Sequence, residues 1–137
     1  MPRNFSINEL RMISEANERH TSHIELQNKL AEAQREIMLE KEGMKLLPLD
    51  GVFATPSAGY DLNAICEKAD DDTVSQLYAG MKSLAVVPLR HPIVRDDNLA
   101  KQGFRMFDVC GYAVYYIVGD GRVVVCRVLE TRGISNV

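Results

Sequence analysis

The sequence predicts an α+β fold, in which a long N-terminal helical segment precedes a small antiparallel sheet packed by a short helix pair. Three observations predict it. A charged segment with helical periodicity runs from Ser6 to about Leu47. Two shorter apolar patterns of helical spacing lie between Gly59 and Leu84. Three runs of β-branched and aromatic residues follow Gly103, with turn residues between them.

The C-terminal third predicts a three-stranded antiparallel meander. Asp120 and Gly121 stand between the runs YAVYYIV and RVVVCRVLE, and an Asp-Gly pair in this setting is a strong hairpin signal. A two-residue turn there places Gly119 opposite Arg122, and the register continues outward to Tyr115 opposite Cys126 and Val114 opposite Arg127. Alternation then predicts one face with Tyr112, Val114, Tyr116, Val123, Val125, Arg127 and Leu129, and another with Ala113, Tyr115, Ile117, Val124, Cys126 and Val128.

Residues 6–47 are predicted to form a helical arm. Capping boxes at Ser6–Glu9 and Ser22–Glu25 indicate two helices, to about His20 and about Leu46, or one long helix with a bend near Thr21. A narrow apolar stripe runs along the charged helix after Ser22, formed by Leu26, Leu30, Ala33, Ile37 and Met44. Such a stripe is typical of a helix that packs against one partner, so Leu26, Leu30 and Ile37 are candidate partner-binding residues. The partner is the first helix, a second copy of the chain, or another protein; an arm folded back on its own core has equal weight.

Pro48 and the Asp50-Gly51 pair interrupt the helical pattern. We expect residues 1–48 to form the arm, which serves oligomerisation or partner binding, and residues 49–137 to form the small α+β domain. Val52–Thr55 predicts a short edge strand. Residues 59–68 and 72–87 are predicted to form the helix pair, with the acidic triplet 70–72 as a cap, and residues 89–102 to form a loop.

Composition narrows the class of protein. The chain has 137 residues and a formal net charge of -3, so no overall positive field attracts nucleic acid. No apolar run approaches the length needed to span a bilayer, and the first residues lack the apolar core of a signal peptide, so we expect a cytoplasmic protein.

The three cysteines, Cys66, Cys110 and Cys126, sit in apolar surroundings and are predicted to be reduced and buried. No Cys/His spacing is that of a metal site, and neither a metal nor another cofactor is expected.

The order of elements, together with several short motifs, resembles the ParE/RelE toxin family of bacterial toxin–antitoxin modules. The resemblance covers residues 49–132. It is carried by Pro56–Ile65, Leu84 with Pro88, Phe104–Met106, Tyr112–Tyr116 and Val124–Arg132. The chain departs from the family pattern in its shorter helix pair and in the extra N-terminal helical segment.

The resemblance implies one of two activities. RelE-like members are ribosome-dependent mRNA endonucleases, whereas ParE-like members inhibit DNA gyrase. The endonucleases need several Lys and Arg residues around the scissile phosphate, and commonly a C-terminal Tyr or His as acid or base. Here the tail after Arg132 is Gly-Ile-Ser-Asn-Val, without either residue. From Arg90 to Arg132, seven Lys and Arg residues are offset by five Asp and Glu residues, a balance poorly suited to gripping ribosomal RNA.

We therefore expect a ParE-like binding protein that inhibits DNA gyrase or another topoisomerase and is neutralised by an antitoxin protein. Arg105 and Arg132 are the best candidates for the contact surface, because the resemblance places arginines at the start and end of the meander. Arg127 is a third candidate, although its head group equally fits an ion pair with Asp108 or a similar carboxylate. No catalytic residue is assigned, and direct contact with nucleic acid is not expected.

Two alternatives stay open. One is a RelE-like ribosome-dependent endonuclease that uses Arg105, Arg127 and either Tyr115 or Tyr116. The other is a non-toxic helical adaptor of phage or plasmid origin, in which the small domain only scaffolds the arm. Cleavage of mRNA on ribosomes separates the endonuclease from the gyrase inhibitor, and deletion of residues 1–48 tests the adaptor.

Overall fold

The computed structural model describes the backbone of residues 7–131 and the side chains of residues 23–131. In the described part of the chain, four α-helices, one short 3-10 helix and five strands follow one another. The helices are α1 (Ile7–Met38), the 3-10 helix (Leu39–Glu42), α2 (Pro56–Lys68), α3 (Asp71–Ser83) and α4 (Asp97–Lys101). The strands are β1 (Leu47–Leu49), β2 (Val52–Ala54), β3 (Arg105–Val109), β4 (Tyr112–Gly119) and β5 (Arg122–Glu130). The predicted α+β class and the C-terminal meander are confirmed.

The five strands form one mixed sheet in the order β1-β2-β5-β4-β3. Only β2 and β5 pair in parallel, and the other neighbours are antiparallel. The prediction that Val52–Thr55 forms the edge of the sheet was wrong, because Leu47–Leu49 pairs outside it. The segment that was predicted to be a break therefore contains a strand. Pro48 is tolerated there because an edge strand leaves one side without ladder hydrogen bonds.

The tight turn of the meander lies at Asp120 and Gly121, as predicted. Both residues have positive φ, +54° and +73°, and Gly119 pairs with Arg122. Positive φ at both central residues is the backbone that two-residue hairpins prefer.

The predicted register holds from the turn to Tyr116, which pairs with Val125, and then slips by one residue. Tyr115 lies opposite Arg127 instead of Cys126, and Val114 lies opposite Val128 instead of Arg127. The cause is a β-bulge in which Cys126 is the extra residue of β5. Because of it, Val128 joins the core that contains Val125, and Leu129 joins the core on the other face, the reverse of the predicted faces.

Each face of the sheet is covered by helices. The first core lies under α2 and α3, where Leu62, Leu77 and Met81 belong to the same buried cluster as the sheet residues Val114 and Val125. The second core lies under α1 and α4 and contains Leu30, Ala33, Leu99, Phe104, Ala113, Tyr115 and Cys126. Both apolar faces of β4 are thereby removed from water, as its continuous apolar sequence requires.

The N-terminal segment forms one helix from Ile7 to Met38, which corresponds to the single-helix alternative. The α-helix ends at Met38, before the predicted end at about Leu46. The 3-10 helix that follows is closed by Gly43, whose φ of +103° stops further helical turns. The predicted loop 89–102 contains the short helix α4, capped by the Asp96 carboxylate. In the part of the chain with described coordinates, no helix is long and apolar enough to cross a membrane.

Candidate functional site

Arg105 begins β3 at the outer edge of the sheet. Its side chain is half-buried, and Nη1 donates a hydrogen bond of 2.7 Å to the backbone carbonyl of His91. Its cross-strand partner is Tyr116. Tyr116 belongs to the first core, and directly paired residues of neighbouring strands share a face, so Arg105 lies on the α2–α3 face.

An aromatic cluster stands next to Arg105. The His91 imidazole stacks on Phe107 with ring centroids 4.5 Å apart, and its edge meets Tyr116 at 6.3 Å. Partial burial, aided by the charge of Arg90, lowers the pKa of His91 below its ordinary 6.5, so the ring is neutral at pH 7. Sequence analysis missed this residue because a histidine in a loop has no partner visible in the sequence.

Tyr115 and Tyr116 are both buried. Burial raises the pKa of each phenol above its ordinary value of 10. Tyr116 also lies close to the backbone of His91 and to Arg105, which partly offset the effect of burial on its pKa. Its hydroxyl nevertheless forms no hydrogen bond of acceptable geometry with the described part of the chain. Both phenols therefore stay protonated at neutral pH.

Arg127 lies on the opposite face from Arg105. Its cross-strand partner is Tyr115, a member of the second core. Nε and Nη2 donate to the two carboxylate oxygens of Asp61 at 2.7 and 2.8 Å, and the two side chains are only 13% and 14% exposed. This bond to Asp61 is the main cause of a raised Arg127 pKa, and the charges of Glu32 and Glu36 act in the same direction.

Asp61 also accepts a backbone hydrogen bond of β5 at a position where no neighbouring strand of the described chain accepts it. β2 ends at Ala54, so within residues 7–131 no strand pairs with β5 on that side beyond this point. The Asp61 carboxylate accepts the Val128 N–H at 3.0 Å, and the Thr55 hydroxyl donates to the Cys126 carbonyl at 2.8 Å. Arg127 therefore has the carboxylate partner that sequence analysis considered, but the partner is Asp61 rather than Asp108.

The apolar stripe of α1 packs on the chain's own sheet. Leu30 and Ala33 are fully buried in the second core, and Leu26 and Ile37 pack against it. This is the folded-back arrangement, so Leu26, Leu30 and Ile37 here contact their own domain. Contact with a second copy or another protein through residues 6–47 stays a prediction.

Acidic side chains fasten the arm to the domain. The Glu36 carboxylate accepts from the Ser57 backbone N–H at 2.9 Å and from its hydroxyl at 2.6 Å, at the start of α2. The Glu40 carboxylate, at the end of the arm, forms a two-point ion pair with Arg122. Arg122 and Arg127, two of the meander arginines, are thus paired within the chain.

The remaining predicted residues are placed as follows. Arg132 lies outside the described residues. Cys126 is buried, with a pKa raised to about 12 by burial, whereas Cys66 and Cys110 are exposed. The prediction that all three thiols are buried was therefore wrong, because Cys66 is exposed on α2 beside Tyr78 and Cys110 is exposed in the β3–β4 turn.

One cavity and the search for metal ligands concern other parts of the described chain. A cavity of about 150 Å³ is lined by Pro48, Leu49, Asp50, Tyr78, Met81 and Lys82, away from Arg105 and His91. Among the residues with described positions, no group of three or more His, Cys, Asp and Glu side chains is arranged to hold a metal ion.

The comparisons with known proteins give no family. No family model matches the chain, and no curated protein matches it. The arrangement itself, with N-terminal helix, helix pair and C-terminal antiparallel strands, is compatible with the ParE/RelE fold.

Proposed function

We propose that the chain is a ParE-like toxin, a protein that inhibits DNA gyrase or another topoisomerase by binding it and is itself neutralised by an antitoxin protein. The observation that carries the proposal is the separation of Arg105 and Arg127 onto opposite faces of the sheet. Cleavage of RNA requires cations that converge on one phosphate, and these two cannot do so.

The ion pairs of the meander support the same proposal. Arg127 is held by Asp61, and Arg122 by Glu40. Arg105 instead binds a neutral backbone carbonyl, which leaves its charge without a carboxylate among the described ion pairs. Among the meander arginines with described positions, Arg105 is thus the one best placed to meet a carboxylate of a partner, whereas Arg127 stabilises the fold.

The protonation and burial of the two tyrosines also favour a binding protein over a ribonuclease. A general base must be deprotonated at neutral pH and must reach its substrate. Tyr115 and Tyr116 fail the first condition because burial raises their pKa, and they fail the second because both are almost completely buried.

The test uses the purified full chain in two assays. The chain is expected to inhibit supercoiling by purified DNA gyrase and to leave mRNA intact in a ribosome-dependent translation reaction. Arg105→Ala should lose most of the inhibition, while Arg35→Ala, which removes an exposed arginine from α1, should keep it. Intact supercoiling in the presence of the wild-type chain would overturn the proposal.

A second candidate, the RelE-like ribonuclease, is favoured by one observation. Arg105, His91 and Tyr116 lie together at one edge of the sheet, and a neutral imidazole beside a guanidinium is a base next to an anion-binding group. If this candidate is right, the chain cleaves mRNA on ribosomes, and His91→Phe, which keeps the stack on Phe107, abolishes cleavage while the protein stays folded.

A further inference from the structure

The segment between α3 and β3 carries an exposed apolar ridge, formed by Val86, Val87, Leu89 and Ile93. Their exposed fractions are 82%, 47%, 62% and 46%. Eight large apolar side chains are exposed in the described part of the chain, and these four fall within eight consecutive residues. Single exposed apolar residues are ordinary, whereas several exposed within one short segment are a candidate interaction surface.

The ridge is held in place at both ends. The N–H groups of Val86 and Val87 donate to the Ser83 carbonyl, which continues the end of α3. Further along, the Met106 N–H donates to the Pro92 carbonyl, and the Val94 N–H donates to the Phe104 carbonyl. The backbone is therefore tied to β3 while the apolar side chains stay in water.

Two further contacts fix the middle of the segment. Arg105 donates a hydrogen bond to the His91 carbonyl, and the His91 ring stacks on Phe107. A surface ordered in this way loses little conformational entropy when a partner binds.

Within the segment that carries the ridge all charged residues are cations, whereas Asp96 and Asp97 follow it directly and Asp50 lines a cavity together with Lys82. From Lys82 to Arg95 the chain has three cations, Lys82, Arg90 and Arg95, and no Asp or Glu. All three cations are exposed, in a chain whose formal net charge is -3. A partner surface that is complementary to the ridge therefore has an apolar groove with Asp and Glu residues around its rim.

The exposed side chains favour protein over nucleic acid as the occupant. Single-stranded RNA and DNA bind on exposed aromatic rings that stack with bases. The ridge presents aliphatic side chains, and the one aromatic ring of the 86–93 segment, His91, is already stacked on Phe107. Apolar contacts surrounded by charge are the usual composition of a protein interface.

We propose that the Val86–Ile93 ridge is the principal docking surface for the partner protein, and that it enters an apolar groove whose rim carries Asp and Glu residues that meet Arg90 and Arg95. The inference rests on the proposed function, because it takes the topoisomerase as that partner. The ridge and Arg105 lie side by side, so Arg105 supports the surface through His91 as well as contributing charge.

The experiment measures binding of the full chain to immobilised purified DNA gyrase. A Val86→Asp, Leu89→Asp double variant is expected to bind at least about tenfold more weakly than wild type, because it puts carboxylates where the groove is apolar and acidic. Tyr60→Asp is the matched control, since it also replaces a large, 78% exposed side chain by Asp and lies on α2. It should bind as wild type does, and thermal melts of both variants show that each is folded.

A second pair of variants tests the charge. Arg90→Glu with Arg95→Glu should weaken binding and flatten its dependence on salt, whereas lysine at both positions should restore both properties. Lys45→Glu, an exposed cation away from the ridge, serves as the control.

The possible outcomes are distinct. Undiminished binding by the folded Val86→Asp, Leu89→Asp variant overturns the ridge and leaves the proposed function standing. Absence of binding by the wild-type chain overturns both. Cleavage of mRNA on ribosomes by the wild-type chain that is lost in the ridge variant, with no effect on gyrase, makes RNA the occupant; it overturns both the ridge as a protein docking surface and the proposed function.

Discussion

The guanidinium of Arg127 and the carboxylate of Asp61 form a two-point ion pair that joins the last strand of the sheet to helix α2. The donor–acceptor distances are 2.7 and 2.8 Å, and Asp61 accepts a third hydrogen bond from the Val128 N–H. The pair therefore ties α2 to β5 at the place where β2 no longer runs beside it.

Asp61→Ala is expected to lower the free energy of unfolding by about 3 kcal/mol, because it leaves both a largely buried guanidinium and a backbone N–H without a partner. Asp61→Asn should cost clearly less, since its amide oxygen still accepts from Val128. Urea denaturation of the two variants measures the difference, and equal losses would show that the Val128 hydrogen bond contributes nothing.

Truncation of Leu30 tests the packing of the arm. The side chain is fully buried between α1 and the sheet, so Leu30→Ala is expected to lower the free energy of unfolding by about 2–5 kcal/mol. Ala31→Ser, on the exposed side of the same helix turn, is the control. Wild-type stability in Leu30→Ala would mean that the stripe is not held against its own sheet.

The backbone of the hairpin turn predicts how substitutions of Gly121 change the stability of the fold. The φ of Gly121 is +73°, and a Cβ at this position would meet no atom within 4 Å, so backbone strain alone decides the effect of a substitution. Gly121→Val should destabilise by about 1 kcal/mol or more, because β-branched residues resist positive φ. Gly121→Asn should cost less, since Asn tolerates this region. Thermal melts that rank the two variants the other way would contradict the strain explanation.

Stability should depend on pH through His91. Its pKa in the folded chain lies below the ordinary 6.5, so the folded state favours the neutral ring. The stabilisation is complete above pH 6.5 and is lost as the pH falls through the lower, folded-state pKa. His91→Phe keeps the stack on Phe107 and removes the titration, so the stability difference between wild type and variant should change below pH 6.5. A constant difference from pH 7.5 to pH 5 would refute this.

The thiols should react in two classes. Cys66 and Cys110 are exposed, whereas burial raises the pKa of Cys126 to about 12 and withholds its thiolate. An aromatic disulfide reagent should label two thiols of the native chain quickly and the third only on unfolding. Rapid labelling of all three would show that the second core opens readily.

Local signals explain the parts of the fold that the sequence predicted well. The turn at Asp120-Gly121 depends on the chemistry of two residues, and the register follows from it as far as Tyr116. The error beyond Tyr116 arises because a bulge depends on what lies beside the strand. Here that is Thr55 and Asp61, which satisfy β5 where β2 ends.

The candidate site was harder to predict for the same reason. A sequence shows Arg105, Arg122 and Arg127 as equivalent cations, but the partners that distinguish them are far away in the chain. Glu40 lies 82 residues from Arg122, and Asp61 lies 66 residues from Arg127. The stripe of α1 was recognisable from its spacing, whereas the surface that it covers depends on the completed sheet.

The central claim, that the chain is a toxin acting on a topoisomerase through the surface around Arg105, is tested most directly by expression in bacterial cells. Growth, the DNA-damage response and the integrity of cellular mRNA are followed together. The account predicts growth arrest with an induced DNA-damage response and intact mRNA. Arg105→Ala with Arg132→Ala should grow normally while accumulating as folded protein. Arrest with cleaved mRNA and no damage response, or normal growth with the wild-type chain, would contradict the claim.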